Sequence, residues 1–567
     1  MAATLPKNAD VAGQFDLLAD LLELDGEQQF RVLAYRRAAD QIRSTPGPIA
    51  QLALDGEAKD LPGIGKTIES KIVQIVDSGE IEALTKRKEQ IPAGVADFLR
   101  LPALGPKTAR RIWQELGVTT LDQLRQAAEA EQLRTLPGLG AKIEERILKA
   151  LDEKPQEKRT LLAVALPAVL AVVEVLREHP ASNEVSEAGS VRRRTETVRD
   201  LDIIATADDP GALTDYFASL SWVAEVEAKG KTKATVVSHD GLRFDLRVVP
   251  PDSYGNLLQH FTGSKEHSVA LRENAVRRGL SVSEYGVKDV ESGEVFTARK
   301  EEELYEHLGY EWIPPELREG RGELEAAKKG ELPTLVDVSD VRGDLHMHST
   351  WSSDAQDSIA DMAAAAQARG YEYIAITDHA HYLRDGRFAA QTKEIAKLNE
   401  KLAPFRILRG IEVSIRTDGT LDFSDEELAT CDWVMASLHS AFDRSPTERV
   451  QAAMEHPHVH CIGHLTARKL NRRGGTEIAL DKVIEKALET GTFLEVNSQP
   501  DRLDLRDVHA RAAGEAGVPL VISTDAHEVG ALAFVELGVA QGRRAWLTKD
   551  HVINTRSWAE VQRSRRK

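Results

Sequence analysis

The sequence predicts a multidomain protein in three parts: α-helical N-terminal domains, an α+β middle and a C-terminal β/α barrel. Three observations carry that reading. A Leu-Pro-x-x-Gly turn recurs at Leu61, Leu101 and Leu136, each time ahead of a helical pattern. The stretch Asp200-Leu-Asp-Ile-Ile-Ala has the polar/apolar alternation of a half-buried strand. Beyond residue 342, short apolar runs that end in His, Asp or Glu alternate with Ala-rich helical patterns. Ligand-type residues at strand C-terminal ends mark the active face of such a barrel.

Composition agrees with several domains. The chain has 567 residues, of which 29% are charged and 5% aromatic, and a length of this order suits about three or four cores. Two cysteines, Cys431 and Cys461, give no disulfide framework and point to a reducing, cytoplasmic setting. No basic-then-apolar leader opens the chain, and no membrane partner is expected. The most apolar run, Leu161 to Leu176, contains Pro167 and Glu174 and is too short to span a bilayer. It is expected to be a buried helix feeding the middle domain. The net charge of −18 predicts modest salt dependence for any nucleic-acid contact, since counterion release needs basic contacts.

In chain order, residues 10–41 read as helices, with Leu17, Leu18, Leu21 and Leu22 at helical spacing. The repeated turns follow. Gly63 and Gly65, Gly105, and Gly138 and Gly140 free the turn, and the amides after them point outward from the next helix. Pro106 suits a first helical position, and Lys107 follows it. This is the helix-hairpin-helix pattern, which grips DNA backbone without reading sequence. Ala103 stands where the first glycine of the middle copy should be.

On the Asp200 strand, Asp200 and Asp202 share one face while Leu201 and Ile203 take the other. Adjacent carboxylates raise each other's pKa unless a cation lies between them. Mg²⁺ is held by one or two carboxylates plus substrate phosphates. Upstream, Gly189 and Ser190 form a turn followed by Arg192, Arg193 and Arg194, a combination suited to a triphosphate. Asp245, in the alternating run Leu242 to Val248, is the third carboxylate and is expected on a solvated face.

These residues resemble the nucleotidyltransferase palm of the family X DNA polymerases. The resemblance implies that Asp200, Asp202 and Asp245 bind two Mg²⁺ or Mn²⁺ ions and that Arg243 supports the third carboxylate. It gives Gly189, Ser190, Arg193 and Arg159 to the triphosphate. His260-Phe261-Thr262-Gly263-Ser264 resembles the family's Tyr-Phe-Thr-Gly-Ser turn over the incoming sugar and base, with His260 in place of tyrosine. Ser268 stands at an asparagine position and Arg272 keeps a matching arginine. Lys71 falls where the family's lyase lysine forms a Schiff base with 5′-deoxyribose phosphate, and Tyr35 matches a pocket tyrosine. Arg31 and Thr67, however, replace two lysines of the 5′-phosphate pocket. Lys71 is therefore either a lyase nucleophile or a solvated helix residue.

Residues 318–341, rich in Glu, Lys and Gly and broken by Pro333, read as a linker. The barrel that follows carries nine candidate ligands: His346, His348, Asp354, His379, Glu412, His439, His464, Asp525 and His527. Imidazole with carboxylate suits Mn²⁺, Zn²⁺ or Fe²⁺. Arg468 and Asn497 are read as phosphate contacts, His456, His458 and His460 as surface or supporting residues, and Cys461 as core. The ligand set is similar to that of the PHP (polymerase and histidinol phosphatase) family. That resemblance implies a distorted seven-stranded barrel with three divalent ions, Mn²⁺ or Zn²⁺.

The expected domains are a lyase-like domain over 1–85, further hairpins over 86–153, the palm over 154–262, a thumb over 263–317, the linker over 318–341 and the PHP domain over 342–567. Together they imply a monomer that fills gaps in gapped or nicked double-stranded DNA from dNTPs and trims 3′ ends. Two rivals are a phosphoesterase to which the polymerase half only delivers DNA, and a DNA-binding scaffold with structural metals.

Overall fold

The computed structural model describes residues 5–565 except 46, 102–103, 137 and 153–158. Ala103 and the expected boundary at 153/154 lie outside the described residues. The chain divides into two compact units, one of Met1–Thr160, Ala168–Glu187 and Arg199–Pro250, the other of Leu161–Pro167, Ala188–Val198 and Pro251–Lys567. No helix among the described residues is long and apolar enough to cross a membrane.

The first unit begins with helices Asn8–Asp25 and Gln29–Ser44, whose Val11, Phe15, Leu18, Leu22 and Val32 enter one apolar cluster. Each hairpin turn drives one residue into the same cluster: Ile64, Leu104 and Leu139, the residues just before the second glycine of each copy. Gly63 and Gly138 take positive φ, +75° and +84°, which a side chain would strain. Helices Lys66–Ser78, Pro106–Leu116 and Ala141–Asp152 follow, so Gly65, Gly105 and Gly140 stand at their N-termini.

The same unit holds a five-stranded mixed sheet in the order Ser182–Glu187, Asp200–Ala207, Arg243–Val249, Lys233–Ser238, Val223–Lys229. The two aspartate-bearing strands are parallel neighbours, with Asp200 opposite Arg243 and Asp202 opposite Asp245. Asp245 is buried, not solvated as its alternation suggested. Its strand lies inside the sheet, where the Thr235 hydroxyl and the Arg243 guanidinium cover the carboxylate. The apolar run also differs from expectation. It forms helix Leu162–Arg177 around Pro167, but only one face is buried (Leu162, Ala165, Val169, Val173, Leu176), and Leu170 is exposed.

In the second unit, helices Tyr254–Thr262, Lys265–Val276 and Glu301–His307 pack with a three-stranded antiparallel sheet. The stretch read as a linker is built into this body. Arg318 is fully buried against Glu301, and helix Glu323–Lys329 sends Leu324 and Ala327 into the thumb core. Val336 joins the barrel core instead. Its Glu- and Lys-rich composition concealed these anchors.

The barrel has seven parallel strands in chain order: Gly343–Met347, Tyr373–Ile376, Arg406–Ser414, Trp433–Ser437, Cys461–Gly463, Phe493–Asn497 and Leu520–Ser523. A parallel bridge from Met347 to Ala526 brings the last strand's end back to the first. An inner cluster draws a residue from every strand: Leu345, Tyr373, Leu408, Trp433, Cys461, Phe493 and Val521. The alternate residues (Ile374, Val434, Ile462, Leu494, Ile522) join the larger cluster that the surrounding helices complete.

Candidate active sites

The palm strands converge three carboxylates. Arg243 Nη1 lies 3.2 Å from Asp200 Oδ1 and 2.8 Å from Asp245 Oδ2, and its Nε donates to Glu227 at 2.8 Å. Arg199 reaches the other oxygen of Asp200 at 2.9 Å. Among the described residues Asp202 has no ion pair of that kind, although Arg247 and Arg243 act on it from farther away. Burial, then the neighbouring Asp245 and Asp200, push its pKa up to about 6. Three converging carboxylates repel one another unless a cation lies between them, and the geometry here suits one.

Gly189, Ser190 and Arg193 belong to the second unit. There, each of the three consecutive arginines has its own acceptor. Arg192 forks onto Glu301 (2.9 and 2.7 Å), Arg193 Nε donates to Glu319 (3.0 Å) and Arg194 Nη1 to the Val191 carbonyl (2.9 Å). Arg193 also donates to the carbonyl of Thr262, and a Cβ on Gly263 would meet Arg193 Nη1 at 3.1 Å. The φ of +67° at Gly263, in the left-handed region, explains the glycine of the turn. His260 and Phe261 end the preceding helix as half-buried rings 5.2 Å apart. Ser268 is buried, and its carbonyl accepts from Arg272 Nε at 3.0 Å. Arg159 is exposed in the first unit.

Lys71 is partly buried in helix Lys66–Ser78. Burial lowers its pKa and Arg31 lowers it further, while Glu82 opposes. Lys107 is exposed on the first turn of its helix.

All nine barrel candidates come together. Glu412 is the centre: Oε2 lies 2.8 Å from His379 Nδ1, 3.6 Å from His346 Nε2 and 3.7 Å from His348 Nε2. Its Oε1 lies 3.1 Å from His439 and 3.2 Å from His464. Asp525 Oδ1 meets His348 at 3.2 Å and His346 at 3.5 Å, and Asp354 lies between His379 (3.4 Å) and His527 (3.6 Å). Burial would raise the Glu412 pKa, but His439, His379 and His346 hold it well below the carboxylate range. Burial, with His527 and His379 alongside, pushes His348 down to about 3, leaving a neutral imidazole.

These residues fit divalent cations. Nε2 of His346, both ring nitrogens of His348, Nδ1 of His379 and Oε2 of Glu412 are buried, and among the described residues none of them completes a hydrogen bond of good geometry, close as they stand to one another. Polar atoms so deeply buried are normally satisfied, and three overlapping ligand groups form among them: His348 with His379 and His527, His346 with His348 and Glu412, and His379 with Glu412 and His439.

Several supporting residues escaped the sequence reading. Glu495 is fully buried and accepts from His346 Nδ1 (2.7 Å), the His464 amide (2.6 Å) and Ser523 (2.6 Å). Asp378 anchors Ser349 and Gln391, and Asp344 anchors Thr524. The signal for Glu495 was a lone carboxylate in the apolar run Phe-Leu-Glu-Val-Asn. The two residues read as phosphate contacts have protein partners. Asn497 donates to Glu495 and Asp525, and Arg468 donates to Glu196 (2.7 Å) and the Leu503 carbonyl. Arg502, unremarked in sequence, lies 3.8 Å from Asp525.

The fold and these two centres define a nucleotidyltransferase joined to a metal-dependent phosphoesterase. Comparison with known proteins agrees part by part. Family profiles match a helix-hairpin-helix domain at residues 6–81, a SAM-like helix-hairpin-helix tandem at 95–153, a DNA polymerase beta thumb at 257–319 and a PHP domain at 344–499. The DNA polymerase/3′-5′ exonuclease PolX of Bacillus subtilis (strain 168) is 39% identical over 98% of both chains. A probable phosphatase of Thermoanaerobacter sp. (strain X514) is 30% identical over 37% of this chain and 89% of its own. Human DNA-directed DNA/RNA polymerase mu is 25% identical over 55% of this chain and 69% of its own. The chain belongs to the family X DNA polymerases that carry a PHP domain.

Proposed function

We propose that this enzyme fills short gaps in damaged DNA and trims the 3′ ends on which it works, using two separate sites in one chain. The observation that carries the reading is the coexistence of the Asp200, Asp202 and Asp245 triad with the nine-residue cluster around Glu412. Divalent cations, when bound, supply charge neutralisation and activation of the attacking oxygen at both sites.

In the polymerase, Asp200, Asp202 and Asp245 hold two Mg²⁺ or Mn²⁺ ions, and Arg243 orients Asp200 and Asp245. Gly189, Ser190, Arg193 and Arg159 bind the dNTP triphosphate. His260, Phe261, Gly263, Ser268 and Arg272 border its sugar and base. The amides and Lys107 at the hairpin helices grip DNA backbone, with Gly63, Gly65, Gly105, Gly138 and Gly140 shaping the turns. In the PHP site the nine ligands hold three ions, Mn²⁺ or Zn²⁺, while Arg502 receives the scissile phosphate. The protein acts as a monomer, and its two free cysteines suit the cytoplasm. The similarity to a probable phosphatase supports removal of 3′-phosphates as a second reaction of the barrel. The domain limits given above are part of this proposal, except that 318–341 belongs to the packed body and is not a free linker.

The test uses a labelled primer on gapped DNA, with and without dNTPs, in Mg²⁺ and then Mn²⁺. An Asp200→Ala/Asp202→Ala variant is expected to lose extension alone, and His346→Ala shortening alone. Loss of both activities in either variant would refute independent sites.

A further inference from the structure

The nucleotide loop Ala188–Val198 belongs to the same compact unit as the barrel, although 351 positions separate Arg193 from the barrel arginine it meets. Arg544, at the end of helix Val535–Arg544, donates from Nη1 to Glu319 at 2.7 Å and to the Arg193 carbonyl at 2.8 Å. Its Nη2 donates to Asp507 at 2.8 Å, and Arg321 meets the same Asp507 at 2.9 Å. Glu319 in turn receives Arg193 Nε at 3.0 Å. The chain of contacts is Arg193, Glu319, Arg544, Asp507, Arg321: three guanidiniums alternating with two carboxylates. Both carboxylates and Arg544 are largely shielded from solvent, at 14%, 7% and 6% side-chain exposure. A second tie fastens the loop farther along, where the barrel's Arg468 donates to Glu196.

The physics of the arrangement is directional. Arg193 is one of three adjacent cations, and an unrestrained guanidinium has many rotamers to lose on meeting a phosphate. Glu319 fixes its Nε edge, yet one carboxylate facing one arginine would neutralise the charge that a phosphate needs. Arg544 shares the same Oε1 and restores net positive charge to the trio. Bidentate geometry matters here, because Arg544 spans Glu319 and Asp507 with two different nitrogens, which an ammonium cannot do.

We propose that Arg544 is a positioning residue for nucleotide binding: acting through Glu319 and the Arg193 carbonyl, it holds Arg193 ready for the triphosphate, so a barrel residue sets the geometry of the nucleotide loop. This rests on the reading of Arg193 as a triphosphate ligand. The role is separate from nuclease chemistry, since Arg544 contacts none of the nine ligands.

The experiment compares full-length Arg544→Ala, Arg544→Lys, Arg193→Ala and the Arg193→Ala/Arg544→Ala double variant. It measures dNTP KM and kcat on gapped DNA, 3′-end shortening and Tm. In Arg544→Ala, KM is expected to rise about 10-fold, as for loss of one charge-assisted bond, with kcat and shortening nearly unchanged. Arg544→Lys should fall between. The double variant should be no worse than Arg193→Ala, because the two act in series. An unchanged KM in Arg544→Ala while Arg193→Ala raises it overturns the inference but keeps the triphosphate reading. An unchanged KM in Arg193→Ala removes that reading and the inference with it. Parallel loss of extension, shortening and Tm in Arg544→Ala overturns the inference in favour of a structural role.

Discussion

His346 donates or shares its Nδ1 proton with Glu495 at 2.7 Å, both side chains wholly buried, so that its Nε2 faces Glu412 and Asp525. A carboxylate behind a ligand imidazole fixes tautomer and ring orientation.

Glu495→Gln should therefore weaken the nuclease. Such supporting contacts are worth roughly 10–100-fold in metal affinity or activity, so shortening should fall in that range while primer extension continues. Equal shortening by the variant at limiting Mn²⁺ would show that Glu495 is only packing.

Metal removal should soften the barrel. Only folding brings its imidazoles and carboxylates, spread along the chain from His346 to His527, onto one centre, so ions bind the folded state more tightly than the unfolded one. Saturation to about 100 times Kd adds roughly 2.7 kcal/mol, or about 5–10 °C for a domain of this size. Calorimetry of chelated protein titrated with Mn²⁺ should show that rise, and a much smaller one in His348→Ala.

Glu301 predicts an acid-labile joint in the thumb. Burial would raise its pKa, but Arg318 and Arg192 bring it down to about 2, from 4.5. A depressed carboxylate contributes stability that is full above its unfolded pKa and disappears as pH falls toward the folded one. Glu301→Gln should cost about 3–5 kcal/mol at pH 7, the usual cost of breaking a buried pair. That deficit should shrink between pH 4.5 and 2. A deficit that stays constant over the same range in denaturant melts would rule out the ionised pair.

Lys71 is tested by trapping. With its pKa lowered by burial and Arg31, it should form a borohydride-stable adduct with 5′-deoxyribose-phosphate DNA, abolished in Lys71→Ala. A parent enzyme that extends primers but traps nothing leaves Lys71 as an ordinary helix residue.

Much of this was legible in sequence because periodicity encodes facing. Asp200 and Asp202 share a face by strand geometry alone, and the hairpin repeats announce themselves by glycine spacing. The barrel ligands were legible because most of them lie at the end of an apolar run. What stayed hidden depends on partners distant in sequence. Asp245 looked solvated because nothing local shows that Thr235 and Arg243 will cover it. Arg318 and Glu323 looked like linker charge until Glu301 and His267 met them. Arg468 was drawn away by Glu196, 272 residues upstream.

The bridge between Met347 and Ala526 has a consequence for the protein's birth. Its ligands run from His346 on the first strand to His527 beyond the last. The palm carboxylates are complete once Asp245 has left the ribosome, but the nuclease cluster cannot assemble until His527 has emerged. A nascent or truncated chain that stops before Asp525 lacks two of the nine ligands. Synthesis thus completes the barrel's ligand set well after the palm's, and a product that stops before Asp525 carries the palm carboxylates with an incomplete barrel cluster.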